Sequence, residues 1–310
     1  SIERVPPSCP SCGGRRTRFI GHIPATNRFA GRRLEKSLSG GGLYACRECF
    51  LSFRYPRRDS RFFDSLYEEA PQDAWSCHAE TRGDWRIAAA WLARDVKEGR
   101  LLDVGCFDGG FLESLDGSYQ RHGIEINEKA ASAARSKGIE VIGRDFADVE
   151  RHPASFDAVT ALDVVEHTAD PLLFLSRLAQ ATRPGGVVIV STGNAEALSW
   201  RLMGSRYLYC TIAEHISFIN PKWCRWAAPR LGLNVGRMEK FSHERAGVRR
   251  RAAQLAKNMG YRLFPAATAW LRRKNLAGRV DASAAPELRD HPPVWSAAKD
   301  HLLILFRKIS

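Results

Sequence analysis

Short apolar runs alternate with amphipathic segments through the middle of the chain. Segment 82–97 places Ile87 and Trp91 near one face, which is the spacing of a helix packed against a core. Because strands that alternate with helices form a parallel sheet with right-handed crossovers, this region predicts an α/β fold. The predicted strands are 100–104, 121–126, 139–142, 156–161 and 186–191, and the predicted helices between them are 109–116, 128–137 and 170–182.

A glycine-rich turn follows the first predicted strand, where open α/β sheets bind their ligands. Gly105 allows a tight turn, and Gly109 allows a ligand to approach the backbone closely. Asp103 ends the strand on the same side. Glu125 closes the second strand about 20 residues later, the usual position of an acid that binds ribose hydroxyls. Asp145 follows the third strand and is suited to accept a hydrogen bond from an adenine amino group.

In this order the residues resemble the class I S-adenosylmethionine (SAM)-dependent methyltransferases, whose fold is a Rossmann-like seven-stranded sheet. The family often has a glycine where this chain has Phe107. Dinucleotide enzymes need that glycine for room beside a pyrophosphate, and SAM carries no phosphate, so Phe107 favours SAM over NAD. The motifs are Asp103-Val104-Gly105-Cys106, Gly109, Glu125, Asp145-Phe146, Phe156-Asp157-Ala158-Val159, Asp163-Val164-Val165-Glu166-His167 and Arg183-Pro184-Gly185-Gly186. The resemblance implies that SAM is bound by Asp103, Gly105, Phe107, Gly109, Glu125, Ile126, Asp145, Phe146 and Asp163.

The resemblance also implies that the sheet ends in an antiparallel hairpin, with strands at 233–241 and 299–308. Residues 242–298 then form a basic helical insertion before the last strand, bordering the active site. Three interpretations stay open for it: a helical lid, a contact with an anionic membrane or glycolipid, and a contact with diphosphate or RNA. The predicted domains are a zinc ribbon at 1–60, a SAM-binding domain at 61–241 and 299–310, and the insertion.

Four cysteines form two Cys-x-x-Cys pairs near the start of the chain, Cys9/Cys12 and Cys46/Cys49. Two such pairs can bind one Zn²⁺ as a closed tetrahedral site, which leaves no open position for catalysis and indicates a structural metal. The alternative is two disulfides or free thiols, which the polar, proline-rich first residues disfavour because they lack a secretion signal. The other four cysteines, interpreted as small buried apolar residues, are Cys77, Cys106, Cys210 and Cys224.

The formal net charge of +13 lies mainly in the first 61 residues and in residues 240–280. A basic surface suggests a phosphate-bearing partner, although solvated arginine-rich faces are an equal alternative. No apolar run approaches the roughly 20 residues of a membrane-spanning helix. We therefore expect a cytoplasmic enzyme, either free or peripheral to the inner face of the membrane.

The segment Glu214-His215-Ile216-Ser217-Phe218 is similar to one in the nucleotide-sugar C-methyltransferases, which also begin with two cysteine pairs and use a histidine there as base. The resemblance implies His215 as general base, with Glu214 orienting it or binding substrate. A histidine suits this role because it titrates near neutrality. His167 is the second candidate.

These observations predict methyl transfer from SAM to a sugar hydroxyl or carbon of a nucleotide-sugar, glycolipid or polysaccharide precursor. The alternative is an RNA methyltransferase whose basic zinc ribbon brings the substrate. A non-catalytic binding protein is a third class, which the acids Asp103, Glu125 and Asp145 disfavour.

Overall fold

The computed structural model describes residues 6–29, 32–57, 60–68, 82–116, 118–242, 246–274 and 292–309. The strands are β1 Thr17–His22, β2 Thr26–Phe29, β3 Arg32–Leu38, β4 Gly42–Cys46, β5 Ser52–Tyr55, β6 Glu98–Val104, β7 Ser118–Ile124, β8 Glu140–Gly143, β9 Phe156–Leu162, β10 Thr182–Gly193, β11 Ser217–Phe218, β12 Leu233–Phe241 and β13 His301–Lys308. The α-helices are α1 Ser60–Glu68, α2 Gly83–Asp95, α3 Gly110–Glu113, α4 Glu128–Ser136, α5 Pro171–Ala181, α6 Leu198–Met203, α7 Leu208–Thr211, α8 Pro221–Ala227, α9 Val248–Leu263 and α10 Pro265–Arg273.

Seven strands form one mixed sheet in the order β12-β13-β10-β9-β6-β7-β8. The strands from β6 to β10 are parallel, and β13 runs antiparallel to both β10 and β12. This arrangement confirms the predicted α/β, Rossmann-like sheet with a terminal hairpin. Several boundaries shift by one to three residues, and the start of β10 shifts by four. β10 begins at Thr182 rather than 186, because Thr182 already pairs with Phe156 before the turn at Pro184 interrupts the register.

Helices cover both faces of the central sheet. Side chains alternate along a strand, so Leu102 of β6 packs on the face covered by α5 and α8, while Leu101 packs on the face covered by α2, α3 and α4. A sheet buried on both faces consists of nearly continuous apolar runs. These apolar runs allowed the positions of the strands to be predicted from the sequence.

A second sheet of four strands pairs β1, β4 and β5 of the N-terminal region with β11, which follows β10 in the chain. Its order is β1-β4-β5-β11, with Phe53 opposite Ser217 and Ser52 opposite Phe218. Leu51 and Phe53 are fully buried in the same core as the central strands. The N-terminal strands therefore pack as part of the main body.

The helices α9 and α10 form the described part of the basic segment between β12 and β13, and they pack against each other. α9 also contacts α6, and Tyr261 enters a small core with Trp200 and Met203. Among the described residues no helix is both long and apolar enough to cross a membrane.

Asn220 joins the two sheets at the start of α8, and it gives a test of this junction. Its Oδ1 accepts from the backbone N of Lys222 and of Trp223, both at 2.9 Å, and its Nδ2 donates to the carbonyl of Phe50 at 2.6 Å. We expect Asn220→Ala to lower the free energy of unfolding by about 1–2 kcal/mol, because it removes a helix cap and the donor to the part-buried carbonyl of Phe50.

Asn220→Ser is the matched variant, since its hydroxyl keeps a capping oxygen and it removes the amide donor to Phe50. Urea denaturation should show a smaller loss of unfolding free energy than for Asn220→Ala, about 0.5–1 kcal/mol. Equal losses in the two variants would mean that the cap contributes nothing.

Candidate active site

A cavity of about 410 Å³ opens at the carboxyl ends of β6, β7 and β9. The chain reverses its direction of strand addition between β6 and β9, which is where parallel sheets of this type bind ligands. The glycine turn forms one side, and α1 with residues 209–216 forms the other. The sequence-predicted residues that line the cavity are Asp103, Gly105, Phe107, Glu125, Ile126, Asp145, Phe146, Asp163, His167, Glu214 and His215.

Gly109, the remaining predicted cofactor residue, supports the turn from behind. Its φ is +77°, and a Cβ there would lie 2.1 Å from Cδ1 of Ile139. Gly105 has φ +78°, and the backbone N atoms of Gly105 and Cys106 both donate to the carbonyl of Ile124. Glycine is thus required at both positions, for backbone conformation and for space.

Glu125 is fixed between two backbone donors at the mouth of this turn. Its Oε2 accepts from the N of Phe107 at 2.9 Å, and its Oε1 accepts from the N of Asn127 at 2.8 Å. Burial raises the pKa of Glu125, and the two backbone donors oppose that rise. The carboxylate is therefore held in one orientation, with Phe107 at φ +48° beside it.

The cofactor side of the cavity is rich in acids. Burial raises the pKa of Asp103 to about 7, against the opposing effect of the hydrogen bond from Thr160 Oγ1 at 2.6 Å. Asp145 caps the 3-10 helix Phe146–Arg151 by accepting from the N of Ala147 at 2.7 Å. The acids that line the cavity include Asp103, Asp108, Glu125, Asp145 and Asp163. Such a lining favours a cationic ligand and disfavours a phosphate.

Asp163 is held by an ion pair that the sequence analysis did not predict. Its Oδ2 lies 2.7 Å from Nη2 of Arg82, and Arg82 also pairs with the fully buried Asp84. Asp163 has φ +58°, a conformation that costs energy in a non-glycine residue. The ion pair and the hydrogen bond from Ser191 Oγ at 3.1 Å hold it there.

The Glu214-His215 pair lies in the short turn between α7 and β11. The N of His215 donates to the carbonyl of Ile212, and the next residue, Ile216, donates its N to the carbonyl of Glu166. The ring of His215 lies 4.9 Å from the ring of His167 and 4.2 Å from that of Tyr209. Both predicted histidines therefore meet at one wall of the cavity.

His215 is suited by its surroundings to act as a neutral base. Its Nδ1 lies 3.0 Å from the carbonyl of Tyr209, and a carbonyl can only accept, so Nδ1 carries the hydrogen. The lone pair is then on Nε2. Burial lowers the pKa of His215 well below its usual value, and the neighbouring His167 lowers it further.

Glu166 anchors the wall behind the histidines. Its carboxylate accepts from the hydroxyl of Tyr209 and from Thr192 Oγ1, the latter at 2.8 Å. Burial raises the pKa of Glu166 to about 7. Ligand atoms of Glu166, His167 and His215 lie within 4.8 Å of one another. This spacing could hold a metal ion, although the carboxylate is already engaged by two hydroxyls.

Helix α1 contributes two residues that the sequence analysis missed. Tyr67 places its hydroxyl 2.7 Å from Nδ1 of His167, its carbonyl accepts from Nδ2 of Asn127 at 3.2 Å, and Phe63 lines the cavity nearby. Phe63 and Tyr67 are four residues apart, with Phe62 beside them. This spacing places aromatic residues on one face of a helix and could have predicted an amphipathic helix here.

Arg54, from β5, holds the Glu214-His215 turn from outside the cavity. Its buried Nη2 donates to the carbonyls of Cys210 at 2.6 Å and Ile212 at 2.8 Å, and its backbone N donates to the carbonyl of Ile216 at 2.9 Å. The turn is thus clamped on both sides by one residue of the N-terminal sheet.

The two cysteine pairs come together as a four-thiol cluster. The Sγ atoms of Cys9 and Cys49 are 3.5 Å apart, those of Cys12 and Cys46 are 3.6 Å apart, and all four lie within 4.8 Å of one another. A tetrahedral zinc with Zn–S bonds of about 2.3 Å needs sulfurs separated by roughly 3.8 Å. The cluster therefore fits such an ion. Cys106, Cys210 and Cys224 are buried as expected, and Cys77 lies outside the described residues.

Comparison with solved structures supports the fold. A chain from the complex between the Haloferax volcanii Trm112 methyltransferase activator and a protein assigned as a methyltransferase has a TM-score of 0.54 at 18% identity, and covers 82% of this chain and 100% of its own length. A protein assigned as a methyltransferase from Bacillus halodurans C-125 has a TM-score of 0.51 at 13% identity, and covers 74% and 100%.

Two curated relatives are named ubiquinone biosynthesis O-methyltransferase. That of Aromatoleum aromaticum is 32% identical over 165 residues, which cover 47% of this chain and 68% of the relative. That of Thiobacillus denitrificans is 32% identical over 152 residues, which cover 44% of this chain and 65% of the relative. The match thus spans about two thirds of the length of these relatives.

These names correct the predicted acceptor. The sequence analysis predicted a sugar of a nucleotide-sugar, glycolipid or polysaccharide precursor, and that prediction is wrong, because the relatives indicate a small-molecule methyltransferase of another kind. None of these relatives is named for RNA methylation.

The predicted enzyme class and its use of SAM are confirmed. A family model described as a methyltransferase domain matches residues 81–236, half of the sequence, and the chain belongs to this family of SAM-dependent methyltransferases.

Proposed function

We propose that this protein methylates a hydroxyl of a small, largely apolar aromatic molecule, with His215 as the general base. The observation that carries the proposal is the geometry of His215, a buried neutral imidazole whose Nε2 carries the lone pair at the wall of an acid-lined cavity. The names of the relatives support an oxygen acceptor.

The cofactor side of the cavity suits SAM. SAM supplies, when bound, a methyl group on a positively charged sulfonium centre. Glu125 would accept from the ribose hydroxyls, and Ile126 and Phe146 would enclose the adenine. Asp145 would accept from the adenine amino group, although one of its oxygens already caps a helix. Asp103 and Asp163 add negative charge that matches a cation.

The acceptor side of the cavity favours an aromatic molecule. Its walls include Phe63, Leu162, Ile212 and Ile216, so most of the surface that a substrate would contact is apolar. A phenol combines a flat apolar body with one hydroxyl. Burial of that body would supply binding free energy, and the polar groups would set its orientation.

The reaction requires a base because a neutral hydroxyl is a poor nucleophile. His215 would accept the hydroxyl proton on Nε2, while the carbonyl of Tyr209 holds Nδ1 and stabilises the resulting charge. His167, bonded to Tyr67, would shape the same wall and exclude water. Glu214 would contact the acceptor or offset the charge on the histidines.

We also propose that the four-cysteine cluster binds one structural Zn²⁺ through Cys9, Cys12, Cys46 and Cys49. The sulfur spacing supports this, as does the backbone N of Glu48, which donates to Sγ of Cys46 at 3.3 Å. Four thiolates would complete the coordination shell, so the metal would have no catalytic position.

Removal of the Glu125 carboxylate tests the cofactor side. We expect Glu125→Gln to weaken SAM binding by about tenfold or more, because the amide loses charge and directs a donor at one of two backbone N–H groups. Isothermal titration calorimetry with SAM measures the effect. Glu128→Gln, on the exposed start of α4, is the control and should bind like the wild type.

Replacement of His215 tests the base. His215→Asn should lower kcat on a phenolic acceptor by about 10² to 10⁴, with SAM affinity unchanged because the residue lies on the acceptor side. A variant that turns over at the wild-type rate while binding SAM normally would exclude this role.

The protonation state of His215 can be followed directly. Because burial lowers its pKa, the neutral form should persist as the pH falls below 6.5, and the ring should become charged only at a lower pH. A side-chain ¹⁵N NMR titration measures this, with the resonance assigned by its loss in His215→Asn. A midpoint at or above 6.5 would contradict the proposed environment.

Metal analysis tests the zinc site. The reduced, folded protein should contain one zinc per chain, and Cys49→Ser should lose it. Cys224→Ala is the matched control, since Cys224 is buried outside the cluster, and it should retain the metal. A folded wild-type protein without zinc would overturn the assignment.

A further inference from the structure

Helix α9 is oriented against the usual rule for a surface helix, which buries its apolar side. Two of the three residues that it buries are amides, Gln254 and Asn258, and the third, Tyr261, enters the small apolar core around Trp200. Gln254 Nε2 donates to Ser296 Oγ at 2.9 Å, and its Oε1 accepts from the N of Ala297 at 3.2 Å. Hydrogen bonds thus fix which side of α9 faces the protein.

Several large apolar side chains of α9 face solvent, among the exposed arginines of the same helix. Val248 is 83% exposed and Leu263 is 63% exposed, and Leu255 is exposed between them. The exposed apolar residues continue into α10, where the described residues expose Trp270 and Leu271, and Phe264 at the junction is 66% exposed. So many exposed large apolar residues on two neighbouring helices are typical of an interface.

The charge of the same segment restricts what that interface can be. Residues 246–274 contain eight Arg and Lys residues and no Asp or Glu. The exposed Arg249 and Arg251 lie among these apolar side chains at the start of α9, and the exposed Lys274 follows α10. Exposed apolar side chains whose only charged neighbours in the segment are cations are complementary to a surface with a hydrocarbon interior and anionic headgroups.

We propose that α9 and α10 form a docking surface for an anionic lipid bilayer, on which the two helices lie parallel to the membrane plane. The apolar residues would enter the headgroup–acyl boundary, and the arginines and lysines would contact lipid phosphates. The inference does not depend on the proposed reaction, since none of its residues lines the cavity.

The position of the docking surface connects it to the acceptor side of the active site. α9 packs on α6, whose Trp200 contacts the ring of Tyr209 at 5.7 Å. Tyr209 lines the cavity. Docking would therefore bring the bilayer to the outer side of the wall that carries His215, which suits an acceptor that partitions into lipid.

Vesicle sedimentation of the full chain tests the proposal. We expect binding to phosphatidylcholine vesicles that contain phosphatidylglycerol, weak binding to pure phosphatidylcholine, and a loss of binding as salt rises. Phe264→Glu combined with Trp270→Glu should weaken binding by about tenfold or more. Leu173→Glu is the matched control, because Leu173 is an exposed apolar residue on α5, and it should bind as the wild type does.

Two results would overturn the proposal. One is that the double variant binds anionic vesicles as well as the wild type, or that the wild type does not distinguish the two lipid compositions. The other is a wild-type dimer that the double variant converts to a monomer in solution without any effect on vesicles, which would make the surface a contact between two copies. Calorimetry with SAM on both variants verifies that their folding is intact.

Discussion

The active site depends on the attachment of one short turn to the N-terminal sheet. Strand β5 pairs with β11, and the guanidinium of Arg54 donates to the carbonyls of Cys210 and Ile212 on the near side of the turn that carries His215. The hydrogen bond to Cys210 is buried and the one to Ile212 is partly buried, so the loss of their donor would cost stability. The position of His215 is thus set by a strand that lies 158 residues earlier in the sequence, counted from Arg54 to Ile212.

This attachment extends to the cysteine cluster. Cys46 and Cys49 lie in the turn that leads into β5, and Phe50 follows them with its carbonyl bonded to Asn220. Leu51 and Phe53 then enter the core of the main body. A metal in the cluster would fix the start of β5 and, through it, the Glu214-His215 turn. Its contribution to catalysis would be positional, because the shell of four sulfurs is closed.

The sequence was sufficient to predict the sheet and the glycine turn because their signals are local. Apolar runs, turn residues and the spacing from Asp103 to Glu125 all lie within short windows. The missed contacts are long-range: Arg82 is 81 residues from Asp163, and Tyr67 is 100 residues from His167. These partners are set by the packing of α2 on one face of the sheet and of α1 against Ala213 and Ile216, and a single sequence carries no local signal for that packing.

The prediction of a sugar acceptor was wrong because the Glu214-His215 motif indicates a type of chemistry and not the shape of the acceptor. In the proposed mechanism this histidine would supply a neutral base, and any hydroxyl that must lose a proton needs one, whether it belongs to a sugar or to a phenol. Selectivity comes from the walls, which come from other segments: Phe63 from α1, and Ile212 and Ile216 from either side of the motif. Any sugar hydroxyl that faced these apolar side chains would lose its hydrogen bonds to water, whereas a flat aromatic body would bury its surface there at no such cost.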